Sequence, residues 1–124
     1  MVTTVSTENT VETVARFSEA FRRHDIDGIM AMMTDDVVFE SMMPAPDGTR
    51  VEGQVAMRAF WEQMFTKTPT AHFETEDSFA CGDRCTVLWR YSWNTDGVPG
   101  HVRGIDVFTV RDGKVAAKLS YKKG

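Results

Sequence analysis

Cysteine is scarce in this chain: Cys81 and Cys85 are the two in 124 residues. That is too few for a disulfide scaffold in a domain of this size. Their spacing matches no zinc pattern and no histidine lies close by in sequence, so two partly buried free thiols are expected. The three histidines, His24, His72 and His101, are far apart. They form no evident ligand cluster, and no metal site is predicted. A basic run is also missing, and the formal net charge is −4. This argues against nucleic acid and anionic membrane surfaces as partners. Nor is there a long apolar run at the start, because Met1 to Asn9 is polar and Thr-rich. Nothing there serves as a signal peptide or a spanning helix, so the cytoplasm is the expected location. No linker, repeat or low-complexity segment divides the chain. One domain over residues 1–124 is expected, with residues 1–8 as a flexible N-terminus.

What is present points to a mixed fold. An apolar fraction of 42% with 26% charged residues suits a soluble globule. A first helix is expected to start between Ser6 and Asn9, with Asn9 and Glu12 as a capping pair, and to end near His24. Val14, Phe17, Ser18 and Phe21 form its apolar stripe. Asp25 caps a short second helix, Ile26 to Met33. Val37 to Met42 reads as a strand and Pro44 to Thr49 as a loop. A third helix spans roughly Gly53 to Phe65 and turns Met57, Phe60, Trp61 and Met64 inward. Strands are expected at His72–Ala80, Cys85–Trp93, His101–Val110 and Val115–Tyr121. Helices first, then hairpin-linked strands, indicate an α+β fold with a curved antiparallel sheet. Three helices on its hollow face would make a cone lined from both layers. Eight Met, eight Phe and three Trp fill such a cone or line a pocket for an apolar ligand.

The last hairpin carries the chemistry. Asp112-Gly113 supplies the positive φ angles of a tight turn. Regular pairing from that turn sets Val110 opposite Val115, Phe108 opposite Ala117, Asp106 opposite Leu119 and Gly104 opposite Tyr121. Side chains alternate across a sheet, so these eight share one face. That face is apolar except for Asp106 and the Tyr121 hydroxyl. A carboxylate there is costly to ionise, which makes Asp106 a candidate acid or hydrogen-bond donor with a raised pKa. By the same alternation Arg103 and His101 face outward, and Glu40 points away from the neighbouring Ser41. Trp89, Tyr91 and Trp93 share one face of their strand, either at the pocket or at a dimer contact. His72, Glu74, Glu76 and Ser78 read as a solvated strip.

Three stretches carry a family resemblance: Phe21-Arg22-Arg23-His24-Asp25-Ile26-Asp27-Gly28-Ile29, Asp35-Asp36-Val37-Val38-Phe39-Glu40, and Ile105-Asp106-Val107-Phe108 with Asp112-Gly113-Lys114-Val115. Their order and spacing resemble the nuclear-transport-factor-2-like cone, in its ketosteroid-isomerase and polyketide-cyclase (SnoaL-like) branch. The resemblance implies a cone-shaped sheet, a hydrophobic pocket and homodimerisation through the sheet's outer face. Ketosteroid isomerases use a catalytic Asp on the first strand, a Tyr on the first helix and a protonated Asp on the penultimate strand, a standard example of a neutral carboxylic acid that donates a hydrogen bond. Asp106 matches that protonated Asp. Phe17 stands where the Tyr would be and Ser41 where the base would be, so the isomerase set is incomplete. The epoxide-hydrolase branch of the same fold needs Asp-Arg-Asp, of which Arg90 alone survives.

These observations lead to one expectation and a rival. A small enzyme would do cofactor-free acid–base chemistry on an apolar small molecule. Asp106 would be the acid, with Tyr121 and Ser41 as accompanying hydroxyls. Phe17, Phe39, Met57 and Phe60 would hold the ligand together with Trp61, Met64, Trp89 and Phe108. The rival is a non-catalytic ligand-binding or dimerisation domain. A buried Glu40 near Asp106 would favour the enzyme, and a cone without a void would favour the scaffold.

Overall fold

The computed structural model describes residues 6–124. Helix α1 spans Thr7–Arg22, α2 Ile26–Ala31 and α3 Gln54–Lys67. The strands are β1 Met33–Glu40, β2 Arg50–Glu52, β3 His72–Cys81, β4 Arg84–Thr95, β5 Val98–Arg111 and β6 Lys114–Lys122. They form one six-stranded sheet in the order β2-β1-β6-β5-β4-β3. The fold is α+β, as expected, but the sheet is mixed rather than antiparallel, because β1 runs parallel to β6. The chain reaches β6 last and lays it between β1 and β5, which local periodicity does not reveal.

Helix α1 begins within the expected span but three residues earlier than the Asn9–Glu12 pairing implies. Ser6 is the cap, and its hydroxyl accepts from the Asn9 N–H at 3.1 Å. Thr7 and Glu8 are therefore the first helical turn and not part of a flexible tail; residues 1–5 of that expected tail lie outside the described residues. Thr10, Thr13, Val14, Phe17, Ala20 and Phe21 make one buried stripe at helical spacing. The Thr10 hydroxyl donates to the Gly82 carbonyl at 2.7 Å and ties this helix to the β3–β4 turn. Asp25 caps α2 as expected, accepting from the Gly28 N–H at 3.1 Å. Strand β1 starts four residues before the expected Val37, and β2 is an element with no strong signal, three residues long. The β4–β5 turn is shorter than the expected strand ends at Trp93 and His101 leave open, since Asn94 and Gly100 belong to the β4–β5 ladder.

The helices cover one face of the sheet: α1 meets β3 to β6, and α3 meets β1 and β2. Between these layers Phe17, Phe21, Ile29, Met33, Val37, Phe39, Met57, Trp61, Phe108 and Val115 make the core. Burying each large side chain contributes about 1.5–3 kcal/mol. Aromatic rings dominate near α3, where Trp61 packs on Phe21, Phe39 and Phe60 at centroid distances of 5.1–5.5 Å.

Candidate functional site

The C-terminal hairpin contains the decisive departure from the expected register. The turn itself is as expected: Asp112 and Gly113 have φ of 53° and 73°, and Val110 pairs with Val115. The next pair, however, is Thr109 with Ala117, so Ala116 is an extra residue on β6. A bulge of one residue turns every later side chain to the opposite face. Phe108 therefore faces Lys118 instead of Ala117, Asp106 faces Ser120 instead of Leu119, and Tyr121 pairs with Ile105 instead of Gly104. The pairing of β1 with β6 jumps at the same place, from Met33–Val115 to Val38–Ala117. Both neighbours of β6 thus accommodate the bulge.

The bulge places two polar side chains beside Asp106 that the expected register sent outward. Lys118 and Asp106 have side chains only 7% and 9% exposed, with Nζ 3.2 Å from Oδ2. The Ser120 hydroxyl donates to Asp106 Oδ1 at 2.6 Å, and Lys118 Nζ donates to Ser120 Oγ at 3.3 Å. Asp106 is thus on the inner face as expected, but that face is not apolar. The expectation of an isolated carboxylic acid rested on Ala117 and Leu119 as neighbours, and it gives way to a buried ion pair. The ammonium is also boxed by rings: its Nζ lies 4.8 Å from the Phe39 centroid, 5.5 Å from Phe21 and 5.6 Å from Trp61.

A cavity of about 150 Å³ opens on this pair. Its walls are Phe21, Phe39, Phe60, Trp61, Met64, Phe73 and Trp89, its floor is Asp106, Lys118 and Ser120, and its rim is Ser41, Met42 and Met43. Met43 is 54% exposed, so the rim reaches the surface. A smaller space of about 40 Å³ lies on the other side of the pair, among Phe17, Phe73, Val87, Trp89 and Phe108. The indole N–H groups of Trp61 and Trp89 are buried, with no hydrogen-bond partner among the described residues. Buried donors of this kind are usually paired.

The structure sorts the expected site residues. Phe39, Phe60, Trp61, Met64 and Trp89 meet at the larger cavity, and Phe17 and Phe108 at the smaller. Met57 is fully buried in the core and borders neither. Ser41 stands at the rim, but its hydroxyl is engaged: it donates to the Met43 carbonyl at 2.7 Å and accepts from the Thr49 N–H at 2.9 Å. Tyr121 is 52% exposed, because the bulge turns it out of the cone. It lines instead an outer groove with Ser41, Met42 and Ser120. Glu40 pairs with Arg50 at 3.0 Å and is not near Asp106. Arg103 faces outward, holding Glu76 through two contacts of 2.9 Å. Trp89 and Tyr91 are inward, packed on Phe73. Gly104 makes room for Trp89, since a Cβ there would lie 2.6 Å from the indole ring.

Lys118 and Ser120 are the residues of the candidate site that alternation from the turn misses. A lysine and a serine among Ala117, Leu119 and Tyr121 read as the solvated side of a strand. The one available signal is that Lys118 is a lone lysine in an otherwise uncharged stretch, Val115 to Tyr121.

Comparison with known proteins places the chain in a family. The SnoaL-like domain family matches residues 14–118. No protein of curated function matches the chain. A nuclear-transport-factor-2-like protein of unknown function from Mesorhizobium loti is 34% identical, with 95% of this chain and 93% of that one covered and a TM-score of 0.82. A candidate polyketide cyclase from Xanthomonas campestris shares the fold at 22% identity, with 94% and 92% covered and a TM-score of 0.78. So does a Mycobacterium tuberculosis protein solved in complex with estradiol-17β-hemisuccinate, at 23% identity, 91% and 92% coverage and a TM-score of 0.77. The match across most of its length, on a helix-covered mixed sheet of this topology, makes the chain a member of the SnoaL-like domain family, with the nuclear-transport-factor-2-like fold.

Proposed function

We propose that this protein performs cofactor-free acid–base chemistry on a small apolar carbonyl or enol compound, with Asp106 handling the proton. The observation that carries this reading is the hydrogen-bonded row Lys118–Asp106–Ser120 at the floor of an aromatic cavity, with Lys118 and Asp106 buried and Ser120 half-buried. Each Asp106 oxygen has its own donor, so the carboxyl group is held in one orientation. A substrate oxygen in the cavity would meet Lys118 as a positive charge and Asp106 as a proton acceptor. A positioned acid or base of this kind contributes about 10²–10⁴-fold. The unpartnered indole N–H groups of Trp61 and Trp89 would favour a ligand with acceptor oxygens.

Size narrows the substrate class. A cavity near 150 Å³ suits one ring of roughly benzene size. Larger ligands would place one ring inside and the rest in the outer groove, which shares Ser41, Met42 and Ser120 with the cavity. The relatives named above, a candidate cyclase and a steroid-bound protein, support an apolar ring as the ligand class. The test is proton exchange at the methyl group of acetophenone in D₂O, followed by NMR. Wild-type protein is expected to accelerate exchange, and Asp106→Asn to lose about 10²-fold or more of that acceleration. Acetophenone that binds without accelerated exchange would leave a non-catalytic ligand-binding domain.

A further inference from the structure

Lys118 is singular among the five lysines of the chain. Lys67, Lys114, Lys122 and Lys123 are exposed, whereas Lys118 is buried. An ammonium needed for the core alone would be packed on every side. Lys118 instead borders both cavities, with three aromatic faces and a carboxylate around its Nζ. A lysine amine desolvated in an apolar pocket beside a proton acceptor is the arrangement used for covalent attack on carbonyl groups.

We propose that Lys118 is a nucleophile that forms an imine with a single-ring aldehyde or ketone bound in the larger cavity, with Asp106 as the proton carrier. This rests on the site described above but not on proton exchange by Asp106 alone. The proton balance closes within the site. Asp106 Oδ2 takes a proton from the Lys118 ammonium across 3.2 Å. The freed nitrogen lone pair attacks the carbonyl carbon, and the carbonyl π pair moves to oxygen. That oxygen takes the proton from Asp106, and the nitrogen gives its surplus proton back, leaving a neutral carbinolamine. Asp106 then protonates the carbinolamine hydroxyl, which departs as water while the nitrogen lone pair forms the C=N bond. The product is a protonated imine beside an ionised Asp106. No oxidant, reductant or metal is consumed. The starting ammonium and the product iminium carry the same charge in the same place, so the Asp106 contact and the faces of Phe39, Phe21 and Trp61 serve both. In this proposal the ring lies against the aromatic walls and the carbonyl points toward the floor formed by Asp106, Lys118 and Ser120.

Reductive trapping with cyanoborohydride tests this on the wild-type protein. Benzaldehyde is added at neutral pH with cyanoborohydride, and the modified lysine is located by peptide mass spectrometry. The expected result is a reduced adduct on Lys118 in preference to the four exposed lysines, suppressed by toluene, which fills the cavity without a carbonyl. Labelling confined to the exposed lysines, no labelling, or toluene-insensitive labelling would each overturn the proposal. Asp106→Asn is expected to slow trapping while the protein remains folded by circular dichroism; an unchanged rate removes Asp106 as the proton carrier. The two readings fail separately. An adduct without acetophenone exchange upholds the imine and removes the acid–base function, and exchange without an adduct does the reverse.

Discussion

Removing Lys118 alone should be among the most damaging single substitutions in this protein, and removing its partner as well should largely repair it. In Lys118→Met, Asp106 stays buried with only the Ser120 hydroxyl as a donor. A buried charge stripped of its partner costs about 3–5 kcal/mol. In Asp106→Leu the stranded charge is the ammonium, which keeps the faces of Phe39, Phe21 and Trp61. Each face offers about 0.5–2 kcal/mol, so the cost falls near the lower end of that range. The double variant strands neither charge. It leaves the Ser120 hydroxyl without its acceptor, a loss of about 1 kcal/mol, against added apolar packing. The double variant is therefore expected to lie at least about 3 kcal/mol closer to wild type than the sum of the singles. Guanidinium unfolding monitored by tryptophan fluorescence measures the cycle, and at roughly 4 °C per kcal/mol thermal melts resolve it too. Single costs below about 1 kcal/mol that add within about 0.5 kcal/mol would refute the reasoning. The ammonium would then reach water, and the bulge at Ala116 would be wrong.

Other expectations follow from separate features. Gly104→Ala sets a Cβ 2.2 Å from the Tyr121 carbonyl oxygen and 2.6 Å from the Trp89 ring. It should destabilise the protein by about 1–3 kcal/mol and shift the Trp89 emission; an unaltered melt would contradict the close approach. Cys81 is exposed, while burial pushes the Cys85 thiol up, so Ellman's reagent at pH 8 should modify one thiol rapidly and the second only on unfolding. The Arg111 guanidinium bonded to Asp36 holds that carboxyl below its ordinary value of 3.8. A depressed folded-state pKa stabilises the protein above the unfolded value and loses its effect as pH falls through the folded one. Arg111→Gln should therefore move the Asp36 titration, followed by NMR, back up toward 3.8; an unmoved titration would show that the pair does not persist in solution.

Much of the architecture follows from local rules acting on named residues. The stripe Val14, Phe17, Phe21 needs a covered helix face, Asp25 needs a helix to cap, and Asp112-Gly113 fits few backbone paths other than a tight turn. Alternation then carries Val110, Phe108 and Asp106 to the inner face of β5, and Arg103 to the outer. The same reasoning fails one residue beyond Val115, because alternation has no memory of an inserted residue. A bulge is decided by the strands on either side. Here β6 must pair with β5 and β1 at once, and both pairings jump at Ala116. That shift exchanges Ala117, Leu119 and Tyr121 for Lys118 and Ser120. The parallel placement of β6 beside β1 joins residues about 80 positions apart in the chain, beyond the reach of any periodicity. From the sequence alone, then, come the helices, the hairpin and an inward Asp106 in an aromatic cone. The buried lysine beside it and the cavity they share were decided by tertiary structure, since strand pairing across the whole sheet determines which face a side chain takes.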